Sequence, residues 1–122
     1  MSTWQPPGCG RYKMNVAFCL SPGNSQAGLG VLVQDHNGAV AATMCTQILW
    51  EGDVLQAHAR SLLIALQFAF DTGLQLLEVD VRCQALLGLL NHGSPCYAPM
   101  GILVEDICSW CCFFHVLSFF FL

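Results

Sequence analysis

Asp80 has the clearest potential for chemistry in this sequence. Positions 77–82 read Leu-Glu-Val-Asp-Val-Arg, a pattern that predicts a buried strand ending where a helix begins. A carboxylate at the end of such a strand can bind Mg²⁺ through its hard oxygen atoms. A site for two metal ions needs several carboxylates that converge on one point. Asp80 is therefore a candidate catalytic and metal-binding residue, and its chemistry depends on the acids that the fold brings beside it.

The eight cysteines offer a second kind of chemistry. Cys108 and Cys111 have the spacing of half a zinc site, and other thiols or imidazoles could complete it. The pair lies in an aromatic stretch that resembles the end of a helix, so reduced, mostly buried thiols are the favoured interpretation.

The sequence begins without the basic and apolar regions of a secretory signal. We expect an intracellular protein, cytoplasmic or nuclear and not secreted.

Charged residues are scarce, and this limits the possible partners. Only 10% of the residues are charged, 55% are hydrophobic, and the formal net charge is −4. Nucleic acid would be bound weakly and in a salt-sensitive manner, because counterion release depends on cations. The apolar stretch 107–122 is shorter than the roughly 20 residues of a membrane span, so no membrane partner is expected. The candidate nucleic-acid-binding residues are the four cations Arg11, Lys13, Arg60 and Arg82.

Periodicity predicts strands first and then alternating helices and strands. The Asn37-Gly38 pair between the second and third strands is a strong hairpin signal, because both residues tolerate positive φ. A long helix begins after the cap Asp53 and ends before Gly73. The predicted strands are 12–19, 27–34, 39–49, 74–80 and 112–117, and the predicted helices are 54–72, 83–90 and 102–110.

This order of elements predicts an α/β fold in which three antiparallel strands are extended by parallel strands and covered by helices. It is the order of the ribonuclease H fold. We predict an extended lead-in at 1–10, a single folded domain at 11–117 and an aromatic tail at 118–122. The tail should either pack against the sheet or drive self-association, because it concentrates apolar surface.

Several short motifs resemble the plant ribonuclease H-like domains that are related to the reverse transcriptases of retroelements. They occur in the family's order over nearly the whole chain. The resemblance implies cleavage of the RNA strand of RNA–DNA hybrids by four carboxylates that hold two Mg²⁺ ions. The motifs are Trp4 with Pro6-Pro7-Gly8, Lys13-Met14-Asn15-Val16, the stretch 27–38, Glu78-Val79-Asp80 and Phe114-His115-Val116.

The resemblance also indicates which catalytic groups the chain retains. The family's first acid follows an Asn-Val pair, and Ala17 occupies that position here. The second acid is a glutamate early in the long helix, where this chain has His58, a candidate metal ligand whose softer nitrogen suits Zn²⁺ or Mn²⁺ better than Mg²⁺. The third acid corresponds to Asp80, and the fourth lies in a final helix that we expect to be missing. His115 corresponds to a histidine on the leaving-group side of the family's site.

Each of these residues also has a simpler interpretation. Asp80 could cap the next helix, His58 could be a solvated side chain, and His115 could be an ordinary strand histidine. With one of the family's four carboxylates present, we expect a ribonuclease H-like domain that binds nucleic acid weakly and has lost Mg²⁺-dependent cleavage. The alternative is a protein-interaction or relic domain without nucleic-acid function.

Overall fold

The computed structural model describes residues 4–20, 26–49, 53–92 and 100–121. One sheet in the order β3-β2-β1-β4-β5 contains the five described strands. The pairs β1–β2 and β2–β3 are antiparallel, whereas β1–β4 and β4–β5 are parallel. This confirms the predicted mixed sheet. The elements are β1 (Tyr12–Leu20), β2 (Gln26–Gln34), β3 (Val40–Leu49), α1 (Val54–Asp71), β4 (Leu76–Val81), α2 (Gln84–His92), α3 (Met100–Cys111) and β5 (Val116–Phe121).

One face of the sheet packs against the helices. Alternate residues of β2 from Ala27 to Val33 are buried, as the period of two in a strand requires. Side chains from all three helices join them in one core cluster. The opposite face of β1, β2 and β3 carries smaller and more exposed residues. The largest fully buried apolar side chains are Met14, Leu66, Leu77, Leu86, Ile107, Val33 and Val79.

Helix α1 begins and ends at the predicted signals. Asp53 Oδ1 accepts a hydrogen bond of 2.8 Å from the backbone N–H of Gln56, which caps the first turn. After the last turn, Gly73 adopts φ +82°, a conformation that strains residues with a Cβ atom. Among the described helices, none has the length and apolar character that crossing a membrane requires.

The hairpin between β2 and β3 forms at the predicted turn. Asp35 Oδ1 accepts hydrogen bonds of 2.9 Å from the backbone N–H groups of Asn37 and Ala39. Gly38 adopts φ +83°, which a residue without a Cβ atom tolerates best. Asp35 and Asn37 therefore form the turn, as predicted.

The last strand lies later in the chain than the sequence indicated. The predicted strand was 112–117, whereas β5 spans Val116–Phe121 and pairs Phe119 with Val79. The predicted boundary between the domain and an aromatic tail at 118–122 therefore falls inside a strand. Aromatic residues favour strands, and parallel pairing with β4 gives their backbone groups hydrogen-bond partners. These residues extend the sheet instead of forming a separate tail.

The lead-in is attached to the face of the sheet opposite the helices. The backbone N–H of Gly8 donates a hydrogen bond of 3.0 Å to Glu78 Oε2 in β4. The neighbouring Pro7 is buried, although the sequence indicated a peripheral segment. Arg11 N–H donates to the Gly8 carbonyl at 3.0 Å and closes the turn into β1. The described part of the lead-in therefore covers charged side chains that would otherwise face water.

Candidate active site

Asp80 lies in β4 with its side chain directed away from the helices. Its neighbours Val79 and Val81 are buried in the core, and side chains alternate along a strand. Asp80 Oδ1 lies 3.3 Å from Lys13 Nζ on the adjacent strand β1, and the two side chains are only 3% and 5% exposed. The candidate catalytic carboxylate is therefore paired inside the protein. The same burial places Lys13, a predicted nucleic-acid contact, out of reach of a phosphate.

Two further residues extend this pair. Glu78 Oε1 lies 4.0 Å from Lys13 Nζ, and Glu78 Oε2 lies 4.0 Å from Arg11 Nη1. We call Arg11, Lys13, Glu78 and Asp80 the charge cluster; its two acids and two cations carry no net formal charge. The Lys13 ammonium also lies 5.1 Å from the centre of the Phe120 ring, a cation–π contact supplied by β5.

Burial governs the protonation of Asp80. Desolvation raises the pKa of this carboxyl group above its ordinary value, and the charge and hydrogen bond of Lys13 oppose the rise. Oδ2 is buried and has no hydrogen-bond partner among the described residues. The hydration that this oxygen atom loses on folding is therefore not replaced, which makes ionised Asp80 costly to bury.

The raised pKa of Asp80 predicts a pH-dependent stability. Between the ordinary value of 3.8 and the higher native pKa, the folded state binds more protons than the unfolded state. The stabilisation that the proton on native Asp80 provides is complete below the ordinary pKa of 3.8, and it is lost as the pH rises through the native pKa. Denaturant unfolding of the native chain and of Asp80→Asn across this window should show the native chain losing stability relative to the variant as the pH increases. A difference that stays constant or grows with pH would contradict the assignment.

Arg82 follows the end of β4, and the register of the β1–β4 ladder, continued beyond its last pair, places it opposite Ala17. The parallel ladder pairs Asn15 with Asp80, so the position level with Ala17 is two residues beyond Asp80, at Arg82. Ala17 and Arg82 also line one groove on the sheet face opposite the helices. Two strand residues span about 7 Å. The residue that this register brings toward the family's first acidic position is therefore the cation Arg82 and not Asp80.

His58 approaches this region from α1. Its ring packs edge-on against Phe18, with 4.6 Å between the ring centres and 75° between the planes. Burial lowers the pKa of His58 below 6.5, so the imidazole is neutral at neutral pH. It lines a small cleft of about 20 Å³ together with Asp80 and Arg82. The structure thus brings His58 and Asp80 to one cleft, but Asp80 Oδ1 already pairs with Lys13.

The other predicted site residues lie apart. Arg60 is exposed on α1, and His115 is exposed just before β5. Neither residue lines the cleft or the groove. Because Arg11 and Lys13 belong to the charge cluster, the four cations do not form one binding surface.

The thiols are less buried than the sequence indicated. All seven described cysteines are free, and five of them are exposed, including Cys108 and Cys112. Burial and the two neighbouring thiols raise the pKa of Cys111 to about 11. The Cys111 thiol is therefore protonated at neutral pH in the metal-free chain. These positions lie on the open sheet face, in loops and at a helix end, where no core covers them.

The described residues do not fit the two Mg²⁺ ions that the resemblance implies. Across the described ranges, no three His, Cys, Asp or Glu side chains are placed to hold a metal ion. The groove presents the methyl group of Ala17 and the guanidinium of Arg82, and neither can coordinate a cation. The nearby hard-oxygen ligand, Asp80, already has an internal cation as its partner.

Sequence reasoning missed two features of this region: the burial of Lys13 and the position of Arg82. A partial signal was present, because Glu78 and Asp80 are two residues apart and must share one face of a strand. A buried acidic face requires a cation nearby. The register that brings Lys13 to this face, and Arg82 level with Ala17, appears only in the folded sheet.

Comparison with solved structures defines the class of fold as ribonuclease H-like. Ribonuclease H1 from the halophilic archaeon Halobacterium salinarum superposes with a TM-score of 0.80 at 18% identity, covering 93% of this chain and 86% of that protein. The N-terminal ribonuclease H domain of a Mycobacterium tuberculosis protein gives 0.76 at 15% identity, covering 92% and 81%. A ribonuclease H1 isolated from compost, solved in complex with an RNA/DNA hybrid, gives 0.71 at 18% identity, covering 92% and 85%.

Comparison with protein families gives a more specific assignment. The family model described as reverse transcriptase-like matches residues 15–122. The chain belongs to this reverse transcriptase-like family. No curated protein matches it.

Proposed function

We propose that this chain is a ribonuclease H-like domain that binds RNA–DNA hybrid or a related nucleic acid and does not cleave it. The observation that carries the proposal is the set of side chains at the family's acidic positions. Ala17 and His58 replace two acids, and Arg82, which follows β4, lines one groove with Ala17. The family membership and the structure of a similar ribonuclease H1 with bound hybrid support a nucleic-acid partner.

Loss of cleavage follows from the electrostatics of phosphodiester hydrolysis. In the family reaction, divalent cations stabilise the negative charge that develops on the phosphate in the transition state. Here Asp80 Oδ1 pairs with Lys13 and Oδ2 is buried, so the carboxylate presents no exposed oxygen atom to a metal ion. His58 and Arg82 provide no anionic oxygen atom. The site can contact a phosphate, but it lacks the ligands to activate one.

Binding should be weak, because few cations are available. Arg11 and Lys13 lie near acids of the charge cluster. In the described part of the chain, Arg60 and Arg82 have no carboxylate oxygen within 4.0 Å, so they carry most of the available positive charge. Counterion release scales with the number of phosphates that a protein neutralises. We therefore expect a small affinity at low salt, most of which is lost as the salt concentration rises.

The experiment is a binding and cleavage assay with one labelled RNA–DNA hybrid that serves as the ligand in both measurements. Fluorescence anisotropy should show binding that weakens by about tenfold or more between about 50 and 200 mM salt. Gel analysis after incubation with Mg²⁺, and separately with Mn²⁺, should show intact RNA. Metal-dependent cleavage that disappears in His58→Ala would overturn the proposal, as would the absence of any binding at low salt.

A specific observation favours protein interaction as the second candidate. Phe70, Trp110 and Phe113 form an aromatic cluster with ring centres 5.3–5.6 Å apart. Phe70 and Phe113 remain 37% and 54% exposed. Exposed aromatic residues grouped in this way are typical of protein contacts. Sedimentation of the native chain beside Phe113→Ser separates the candidates, because self-association through this cluster should decrease in the variant without altering hybrid binding.

A further inference from the structure

We propose that Arg82 holds a backbone phosphate of the bound nucleic acid directly, so that binding needs no divalent metal ion. This inference rests on the proposed function. It assigns to an arginine side chain the contact with phosphate that a metal ion would make in a catalytic member of the class. The ligand is the sugar–phosphate backbone of one strand of an RNA–DNA hybrid.

The groove beside Arg82 has the shape for such a strand. It is an open groove of about 360 Å³ on the sheet face opposite the helices. Gly30 pairs with Ala17 across β1 and β2. Both residues are small and occupy little of the groove. A Cβ atom built on Gly30 would meet only the Ala17 carbonyl, at 4.0 Å, so packing does not demand glycine there. The groove is open because its residues are small, and Asn15 and Thr43 place polar side chains along it.

Arg82 has the charge and exposure that a phosphate contact requires. Its side chain is exposed at the end of β4, and among the described residues no carboxylate oxygen lies within 4.0 Å of it. The nearest acid along the strand, Asp80, is held by Lys13 at 3.3 Å. A guanidinium presents a planar fork of N–H donors that matches two phosphate oxygen atoms. The charge of Arg82 thus complements the backbone of a strand lying in the groove.

The same geometry disfavours a metal ion at this point. A divalent cation beside Arg82 would be repelled by the guanidinium, and the groove offers it no carboxylate ligand. Mg²⁺ added at constant ionic strength should therefore leave the affinity unchanged or lower it slightly by competing for phosphate. A catalytic relative that depended on metal-bridged contacts would respond in the opposite direction.

The test measures affinity for the labelled hybrid by anisotropy, in EDTA and in Mg²⁺ at matched ionic strength. The native chain should bind in EDTA at least as well as in Mg²⁺. Arg82→Ala should bind about tenfold more weakly, as expected for one charged hydrogen-bonded contact, and its salt dependence should decrease by about one unit of slope. Arg82→Lys should recover part of the affinity, because the charge remains while the fork is lost.

Asn91→Asp is the matched control, because it also lowers the net charge by one at an exposed position on α2 away from the groove. Its affinity should stay within about twofold of the native value, because Asn91 does not line the groove and its exposed position is screened by salt. If Arg82→Ala binds like Asn91→Asp, the Arg82 contact is wrong and the proposed function stands. If EDTA weakens the native complex, metal independence is wrong. If the native chain binds no hybrid at low salt, the proposed function fails and this inference fails with it.

Discussion

Replacing Asp80 with alanine is expected to destabilise the protein by about 3–5 kcal/mol, the cost of leaving a buried charge without its partner. Lys13 would keep its ammonium group in a site that is only 5% exposed, with Glu78 Oε1 at 4.0 Å as its remaining anion. Denaturant unfolding followed by circular dichroism measures the loss. The expected loss of stability is the cost of leaving Lys13 buried without its partner. This cost exceeds the net contribution of the ion pair to stability.

A double variant distinguishes these two quantities. Lys13→Met combined with Asp80→Leu removes both charges and fills similar volume, so its stability should lie close to the native value or above it. Asp106→Ala, which removes an exposed acid on α3, should change stability by less than about 0.5 kcal/mol. If the double variant is as unstable as Asp80→Ala, the defect comes from packing and the electrostatic explanation fails.

Local signals predicted most of the fold because they act over a few residues. The Asp53 cap and Gly73 determine the ends of α1, and the Asn37-Gly38 turn determines the second hairpin. Each depends on dihedral preferences or on hydrogen bonds within four residues. The bounds of the last strand were harder to predict, because the aromatic run contains no turn or capping signal. Its boundaries depend on how β5 pairs with β4, as in the contact between Phe119 and Val79.

The candidate site was less predictable, because it depends on the register between β1 and β4. From the sequence, Asp80 appeared to be a strand-end acid available for a metal ion. The observed register places it level with Asn15 and brings Lys13 to within 3.3 Å of its carboxylate. A shift of two residues would keep the same faces buried, so hydrophobic patterning alone cannot distinguish the two registers. Continued beyond Asp80, the same register places Arg82, one of four cations dispersed along the sequence, opposite Ala17.

The charge cluster also explains why β5 matters for more than sheet extension. Phe120 pairs with Asp80 across the ladder and places its ring 5.1 Å from the Lys13 ammonium. The ring shields the buried pair from water on the side of β5, while Gly8 anchors the lead-in to Glu78 on the other side. The internal neutralisation of Asp80 therefore depends on segments from both ends of the described chain.

A chain ending at Ser118 should consequently lose at least about 3 kcal/mol of stability, the scale of removing a core aromatic residue. The deletion removes Phe119, which packs against the core, and opens the Lys13–Asp80 pair to water. It also leaves half of β4 without its parallel partner, and an unpaired apolar strand edge promotes association. Thermal unfolding should show a lower midpoint, and sedimentation should show oligomers that the longer chain does not form.

Phe120→Ala in the full-length chain separates the ring from the strand. This variant retains the backbone pairing of β5 and loses only the cation–π contact and the partial cover, so it should cost about 1 kcal/mol and remain as monomeric as the native chain. A truncated chain no less stable than Phe120→Ala would show that pairing between β4 and β5 contributes little. In that case residues 119–122 would be a dispensable extension, and the charge cluster would be held by β1, β4 and the lead-in alone.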